Sequence, residues 1–174
     1  VPGIKIAAPR DAKRLREEFQ EALAVQDGPT VVRFPKGSIG ADIDAVERLA
    51  SGVDVLRRPV EQAEPEPAGD SDGPLDVLIV AVGAFAENAL RVAEEIESED
   101  IRVTVVDPRW VIPIAVDTIS LATQVDLVVV YEDGVIRGGV GAAVAEALSA
   151  AEVDTPVRML AFPDVFPLHG TRGE

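Results

Sequence analysis

The segment DVLIVAV (Asp76–Val82) limits the possible folds more than any other part of this chain. After its first residue it is apolar at every position, which is typical of a β-strand buried on both faces. Strands of this kind belong to parallel sheets that are covered by helices on both sides. A chain of 174 residues is long enough to bury one good core, or two small ones joined by a linker. The segment therefore predicts an α/β protein.

The rest of the second half alternates between strand and helix patterns. A helical stripe of Ala89, Leu90, Ala93 and Ile96 follows the first strand, and Asp117 is predicted to cap a second helix. The remaining predicted elements are the strands Ile101–Val106, Leu127–Tyr131 and Val157–Ala161, and a helix over Gly138–Ala151. We expect a mostly parallel sheet with flanking helices and right-handed crossovers over residues 75–174.

The first segment reads as strand, helix and strand. The predicted strands are Ile4–Ala7 and Thr30–Phe34, and Asp11 is the expected N-cap of the helix between them. Helical spacing predicts one face turned to the core and the opposite face turned to water. The core face comprises Leu15, Phe19, Ala22 and Leu23, and the water face comprises Arg14, Glu17, Glu18 and Glu21. Three elements are too few for an independent domain, so the segment is interpreted as the end of one.

An acidic, proline-rich stretch separates the two segments. Val60–Pro74 contains three prolines, two glycines and five acidic residues, with almost nothing to bury. Such a stretch cannot repay its ordering entropy, so residues 59–74 are predicted to form a mobile linker. The charge changes at the same place: residues 1–58 carry 10 basic and 9 acidic side chains, and residues 59–174 carry 6 and 22. We therefore expect a boundary between residues 1–58 and 75–174.

Composition excludes several classes of function. A net charge of -15 argues against nucleic-acid binding, and the longest apolar run is far shorter than the roughly 20 residues that span a bilayer. There is no cysteine and only one histidine, His169, so disulfides, thiolate zinc sites and multi-histidine metal sites are excluded. No clustered aspartate motif suggests a carboxylate metal site. The chain opens Val-Pro-Gly without a signal sequence, so we expect a piece of a longer, cytoplasmic protein.

Two features of the second half have a structural and a functional interpretation. Gly139 and Gly141 match the first two glycines of a dinucleotide-binding motif but lack the third, so close packing of a helix start is favoured over phosphate binding. Glu132 and Asp133 end a buried strand and could perform acid–base chemistry. The favoured alternative is a turn at Asp133-Gly134, with Glu132 bonded to a backbone amide.

A further group follows the strand Ile101–Val106. Asp107, Arg109 and the single tryptophan, Trp110, could anchor an interface or pack in the core, and Gly139 and Gly141 could contribute to the same interface. His169 has no partner in the sequence pattern and is expected to be exposed or to support another residue.

The strongest chemical signal is Arg33-Phe34-Pro35-Lys36-Gly37. Two cations follow the carboxyl end of a predicted strand, where ligands bind in open α/β sheets. Arg33 could hold a phosphate or carboxylate with two hydrogen bonds, and Lys36 could add a mobile positive charge. A salt bridge to a carboxylate on a helix is an equally good interpretation.

Six segments of the chain form a wider pattern. They are Val1–Arg16, GPTVVRFPKG (Gly28–Gly37), DVLIVAVG (Asp76–Gly83), VTVVDPRWVIP (Val103–Pro113), VVVYEDGVIRGGVGAAV (Val128–Val144) and FPDVFPLHG (Phe162–Gly170). In order and spacing these segments resemble the 1-deoxy-D-xylulose-5-phosphate synthase family of transketolase-like, thiamine-diphosphate-dependent enzymes. The resemblance covers nearly the whole chain except the linker.

The resemblance implies a placement for each part of the chain. Residues 1–58 would end the pyrimidine-binding domain, and residues 75–174 would form the transketolase C-terminal domain, which contributes dimer contacts. The parent enzyme would condense pyruvate with D-glyceraldehyde 3-phosphate and release CO2, giving a precursor of isoprenoids, thiamine and pyridoxal. Lys36 matches the residue assigned to the acceptor phosphate, with Arg33 as its neighbour. Many members carry arginine at the position of Lys36.

The resemblance also implies what this chain lacks. The motif that binds thiamine diphosphate and Mg2+, the activating glutamate and the active-site histidines would all precede Val1. The chain alone is therefore expected to bind no cofactor, to hold no catalytic residue and to depend on the missing parts of its own protein and on a homodimer. Two other interpretations stay open: the end of another transketolase or of a 2-oxoacid dehydrogenase β-subunit, or a non-catalytic dimerisation module.

Overall fold

The computed structural model describes residues 1–36, 40–59, 73–98 and 100–165. Most of the predicted linker and His169 lie outside the described residues. The described residues form two sheets and four α-helices. The helices are α1 (Ala12–Ala24), α2 (Ala86–Ile96), α3 (Val116–Ala122) and α4 (Val140–Ala150). The strands are β1 (Lys5–Ala7), β2 (Thr30–Val32), β3 (Glu47–Arg48), β4 (Asp54–Arg57), β5 (Leu75–Ala81), β6 (Ile101–Asp107), β7 (Trp110–Ile112), β8 (Leu127–Val135) and β9 (Val157–Phe162).

The larger sheet has six strands in the order β3-β4-β6-β5-β8-β9. Strands β6, β5, β8 and β9 are parallel, as the sequence predicts. At the other edge of the sheet, β3 and β4 pair antiparallel with each other, and β4 pairs antiparallel with β6. Strand β5 lies between β6 and β8 and is buried along most of its length. The continuous apolar run of β5 thus confirms the expectation of a strand covered on both faces.

Successive residues of β5 supply the two cores on opposite faces of this sheet. Leu78 and Val80, together with Val82 directly after the strand, pack with α4 and part of α3 on one face. Val77 and Ile79 pack under the alanine stripe of α2 on the other face. This alternation follows from the period of two in a strand. Within the described residues, no helix combines the length and apolar character needed to cross a membrane. The cytoplasmic location stays a prediction.

The smaller sheet has three strands in the order β2-β1-β7. Strands β1 and β2 are parallel and are connected by α1, whose N-cap is Asp11 as predicted. Its third strand, β7, follows β6 directly, so the first segment of the chain pairs with a strand of the second segment. The two segments are therefore joined through both sheets, because β4 also pairs with β6.

Three local predictions differ from the structure. Strands β3, β4 and β7 have no counterpart among the predicted elements, although Gly52, with a φ of 91°, lies in the turn between β3 and β4. Asp117 does not cap α3, which begins after Ala115; its carboxylate accepts a hydrogen bond from the Ser51 backbone amide instead. The predicted turn at Asp133-Gly134 is wrong, because β8 continues to Val135 and pairs again with β9 after an irregularity.

The predicted orientation of α1 is also wrong. Glu18 and Arg14 are buried, whereas Phe19 and Leu23 are 54% and 71% exposed. Ala22 is buried as expected. The helix turns its charged face inward because the elements beneath it present buried charges of their own, which include Asp54 and Asp107. The helical spacing alone could not reveal this.

Candidate functional site

A small cleft of about 60 Å3 lies where the carboxyl ends of strands from both sheets meet. Its lining follows β1 and β2 from the smaller sheet and β5 from the larger sheet, and includes a residue near the end of β8. The lining residues are Ala8, Pro9, Arg33, Phe34, Pro35, Val82, Gly83, Ala84 and Asp133. Carboxyl ends of parallel strands are the usual place for a ligand in open α/β sheets.

Gly83 allows the two sheets to approach each other at this cleft. Its φ is 58°, and a Cβ atom there would lie 3.3 Å from the backbone oxygen of Ala8. A larger residue would therefore be strained in its backbone and would press on the chain that leaves β1. The sequence predicts Arg33 at such a strand end and Gly83 at a strand-to-helix turn, but it does not predict that residues 83 and 84 line a cleft with Arg33.

Arg33 is fixed at the cleft from two sides. Its backbone amide donates to the carbonyl of Ala7 at 2.8 Å, and its guanidinium Nη2 donates to the Asp133 carboxylate. Its side chain is still 40% exposed. Lys36 is exposed and is not among the residues that line the cleft. The structure thus pairs Arg33 with a carboxylate of strand β8 rather than with a helix carboxylate, and Lys36 lies outside the cleft lining.

Glu132 is buried and occupies the N-terminus of α4. Its two carboxylate oxygens accept hydrogen bonds from the backbone amides of Val140 at 3.0 Å and Gly141 at 2.8 Å. This confirms the interpretation that Glu132 bonds backbone amides. The amides that a phosphate would use at this helix end are taken by a carboxylate of the chain itself.

The two glycines of the partial dinucleotide motif are needed for close packing. A Cβ atom on Gly139 would lie 2.6 Å from the Glu132 carboxylate, and one on Gly141 would lie 2.8 Å from Cγ of Met159. Both distances are far below an ordinary van der Waals contact. The packing interpretation of Gly139 and Gly141 is therefore supported over the phosphate-binding one.

The residues predicted to anchor an interface after β6 contact other parts of the same chain. Asp107 and Arg109 are almost fully buried, and Trp110 donates from Nε1 to Glu21 on α1 at 2.7 Å. Arg109 donates to the same carboxylate and has a φ of 58°. These contacts hold α1 against the β6–β7 connection. The role of Asp107, Arg109 and Trp110 in an interface between subunits stays a prediction.

A buried set of charges, which we call the seam cluster, comprises Arg10, Glu18, Asp54, Asp107 and Arg109. Nη1 of Arg10 lies 2.7 Å from a carboxylate oxygen of Asp54 and 2.7 Å from one of Asp107. Burial raises the pKa of Asp107 to about 6, although Arg10 acts to lower it. Burial also opposes the charge on Asp54, but hydrogen bonds from Arg48 and Arg10 outweigh it and hold the pKa of Asp54 below its ordinary value.

A larger apolar groove of about 630 Å3 lies beside α2 on the larger sheet. It is lined by residues of α2, β5, β8 and β9 and by Phe85, which directly precedes α2. The rings of Phe85 and Tyr131 have centres 4.4 Å apart. Leu160 and Phe162 of β9 are about half exposed at its edge. The groove therefore leaves apolar side chains of β9 open to solvent.

The chain is similar in sequence to one protein family and to two known enzymes. The family model described as "Transketolase, C-terminal domain" matches residues 70–174. The full chain is 52% identical to a 1-deoxy-D-xylulose-5-phosphate synthase of Pseudarthrobacter chlorophenolicus and 53% identical to one of Mycolicibacterium gilvum. It covers 25% and 26% of those two proteins, so it spans about a quarter of their length.

Among solved structures, the chain is similar to one described as a split gene transketolase, an inactive beta4 tetramer. The TM-score is 0.74 at 27% identity, and the match covers 95% of this chain and 50% of the other. The match extends well beyond residues 70–174, so both sheets described above take part in it.

Proposed function

The chain belongs to the transketolase C-terminal-domain family, and from that premise we propose that it forms the carboxyl-terminal part of a 1-deoxy-D-xylulose-5-phosphate synthase. The parent enzyme would join pyruvate to D-glyceraldehyde 3-phosphate and release CO2. Support comes from the similarity to such synthases along the whole chain. The observation that carries the proposal is the position of Arg33. It is partly exposed at the cleft where the carboxyl ends of strands from both sheets meet, and it is bonded to Asp133 there.

In the proposed function, Arg33 binds the phosphate of the acceptor aldehyde. A guanidinium offers several donors in one plane, so Arg33 can keep its bond to Asp133 and still donate to a phosphate oxygen. Lys36 would add a solvent-exposed positive charge nearby. Binding energy gained at the phosphate, which does not react, would position the aldehyde for attack.

Two observations support the proposal that thiamine diphosphate and Mg2+ are bound outside the described residues. Among them, no group of three or more Asp, Glu or His side chains could hold a metal ion. The amides at the start of α4 are already occupied by Glu132. We propose that both groups belong to the parent enzyme and are bound by other parts of it, where thiamine diphosphate would supply the chemistry of decarboxylation.

The smaller sheet supports the proposal that residues 1–58 end a pyrimidine-binding domain. In the described structure β2 is an edge strand, and its Val31 is exposed. Phe19 and Leu23 on the outer face of α1 are exposed as well. Edges and apolar helix faces of this kind are normally covered, so we propose that preceding parts of the same protein pack here. Residues 75–174 would form the C-terminal domain, although β3 and β4 extend its sheet.

The test is a comparison of acceptor and donor kinetics in the full-length enzyme. We expect Arg33→Gln to lower kcat/KM for D-glyceraldehyde 3-phosphate by about 10- to 100-fold, the scale of a charged hydrogen bond. Lys36→Ala should have a smaller effect of the same kind, because an exposed charge is screened by solvent. The KM for pyruvate and the rate with unphosphorylated D-glyceraldehyde should change little.

Lys13→Ala serves as the matched control, because Lys13 is an exposed cation that pairs with Asp44 rather than lining the cleft. It should leave both substrates unaffected. Equal losses for pyruvate and for the phosphorylated acceptor in Arg33→Gln would contradict the assignment of Arg33 to the phosphate.

A second candidate function, association with another copy of the chain, is favoured by the apolar groove beside α2. Leu160 and Phe162 would be covered in a homodimer, which removes apolar area from water. We therefore expect light scattering after size exclusion to give a dimer mass for the full-length protein across micromolar concentrations. A monomer mass throughout that range would contradict the homodimer, whereas a dimer without synthase activity would favour the dimerisation module over the enzyme.

A further inference from the structure

The ion pair between Arg33 and Asp133 connects the two sheets at the cleft. Arg33 follows β2 of the smaller sheet, and Asp133 lies in β8 of the larger sheet, 100 residues later in the chain. In the part of the chain that the structure describes, these two supply the charged side chains of the cleft lining. A cation from one half of the chain is thus held by a carboxylate from the other half.

The backbone that carries Asp133 is firmly held on both sides. Tyr131 pairs with Ala81 of β5 and with Leu160 of β9. Glu132 is tied to the start of α4 through two backbone amides. Gly134 passes so close to Glu132 that a Cβ atom there would lie 2.4 Å from its carboxylate. These contacts fix the backbone on both sides of Asp133, which lies in the irregular stretch of β8 between its pairings at Tyr131 and Val135.

A fixed partner matters for Arg33 because its side chain is long and partly exposed. An unrestrained arginine loses rotamer freedom when it binds a ligand, and that loss weakens binding. The bond to Asp133 removes much of this freedom beforehand. The bond uses Nη2 of the guanidinium, and the group has further N–H donors that a phosphate oxygen can accept from.

We infer that Asp133 is a positioning residue for the acceptor phosphate: it orients the Arg33 guanidinium across the cleft and does not itself touch the substrate. The inference rests on the proposed function, because it requires Arg33 to bind the acceptor. It also gives the C-terminal domain a direct part in substrate selection. A chain with a phosphate-binding arginine but without this carboxylate would bind phosphorylated acceptors more weakly.

The experiment is a double-mutant cycle in the full-length enzyme, with Asp133→Asn, Arg33→Gln and the combined variant. Asp133→Asn should raise the KM for D-glyceraldehyde 3-phosphate about fivefold, the upper range for one partly exposed ion pair. The kcat at saturating acceptor, the KM for pyruvate and the rate with unphosphorylated D-glyceraldehyde should change less than twofold. Asp133→Glu keeps the charge and should restore much of the affinity, which separates orientation of Arg33 from a general effect on folding.

The combined variant decides between the possible roles of Asp133. No further rise in KM beyond that of Arg33→Gln would support action through Arg33. The same fivefold rise in both backgrounds would overturn the inference and leave the role of Arg33 intact. A lower KM in Asp133→Asn would also overturn it, because Asp133 would then compete with the phosphate for Arg33. An unchanged acceptor KM in Arg33→Gln would contradict the proposed function itself, and this inference with it.

Discussion

Replacing Arg10 with methionine is expected to lower the free energy of unfolding by about 3–5 kcal/mol, the usual effect of removing one partner from a buried ion pair. The Arg10 side chain is fully buried and bonds Asp54, Asp107 and the backbone oxygen of Ile43. Without it, Asp54 keeps its two bonds to Arg48. Asp107 keeps only the backbone amide of Arg109 among the hydrogen bonds described here. The cost therefore falls mainly on Asp107.

Denaturation by urea at neutral pH measures this effect, and two further variants test its cause. Lys13→Met removes an exposed cation that pairs with Asp44, and it should change the free energy of unfolding by about 0.5 kcal/mol or less. Asp107→Asn combined with Arg10→Met should recover a large part of the loss, because asparagine can still accept from the Arg109 amide without a buried charge. A double variant whose loss equals the sum of the two single losses would show that the seam cluster is not coupled as described.

The main sheet could be predicted from the sequence because its strands are buried and parallel. The apolar run in β5 and the regular return of helical stripes after it depend only on local pattern, and these predictions are confirmed by the pairing of β6, β5, β8 and β9. The short strands could not be found in the same way. Strand β3 has two residues and pairs with the short strand β4, and β7 has three residues and pairs with β1, which is equally short and distant in the sequence.

The inverted helix α1 shows the limit of periodicity more clearly. Its apolar spacing predicts that Phe19 and Leu23 face the core, yet the helix buries Arg14 and Glu18. The choice of face is made by Asp54 and Arg109, which lie far away in the sequence and carry charges that need partners. A hydrophobic stripe therefore predicts that a helix forms, but not which side meets the rest of this chain.

One part of the candidate site could be predicted from the sequence and the other could not, because only the first depends on local pattern. Arg33 has a local signal, since a cation after a β-branched strand marks the carboxyl edge of a sheet. The carboxylate that holds it was itself noted, but as part of a turn and a possible acid–base pair. Its relation to Arg33 depends on how two sheets meet, and no spacing in the sequence encodes a contact between residues 100 positions apart.

Glu18 is expected to make the stability of the fold fall as the pH rises above about 5. Its side chain is fully buried, and neither carboxylate oxygen has a hydrogen-bond partner among the described residues. Burial raises the pKa of Glu18 to about 9, and Asp107 and Glu21 add to the rise, while Arg109 and Arg10 oppose it. The nearest cation atom, Nε of Arg109, lies 3.7 Å away. Burial therefore outweighs the attraction of the arginines.

The direction of the pH effect follows from which state holds the proton. In the unfolded chain Glu18 ionises near its ordinary pKa of 4.5, whereas the folded chain keeps the proton up to about pH 9. Between these values the folded state binds more protons, so this carboxyl stabilises the fold fully at low pH and loses its contribution as the pH rises. The loss amounts to at most about 1.4 kcal/mol per pH unit.

Glu18→Gln isolates this contribution, because glutamine has nearly the same shape and does not titrate. Relative to the parent chain, the variant should gain stability steadily from about pH 5.5 to about pH 8.5, by up to roughly 4 kcal/mol in urea denaturation. Glu94→Gln, at an exposed position on α2, should give a curve parallel to the parent over the same range. If the stability of Glu18→Gln also followed a curve parallel to that of the parent chain, Glu18 would titrate alike in the folded and unfolded chains. The buried Glu18 carboxyl group would then be ionised over this whole pH range.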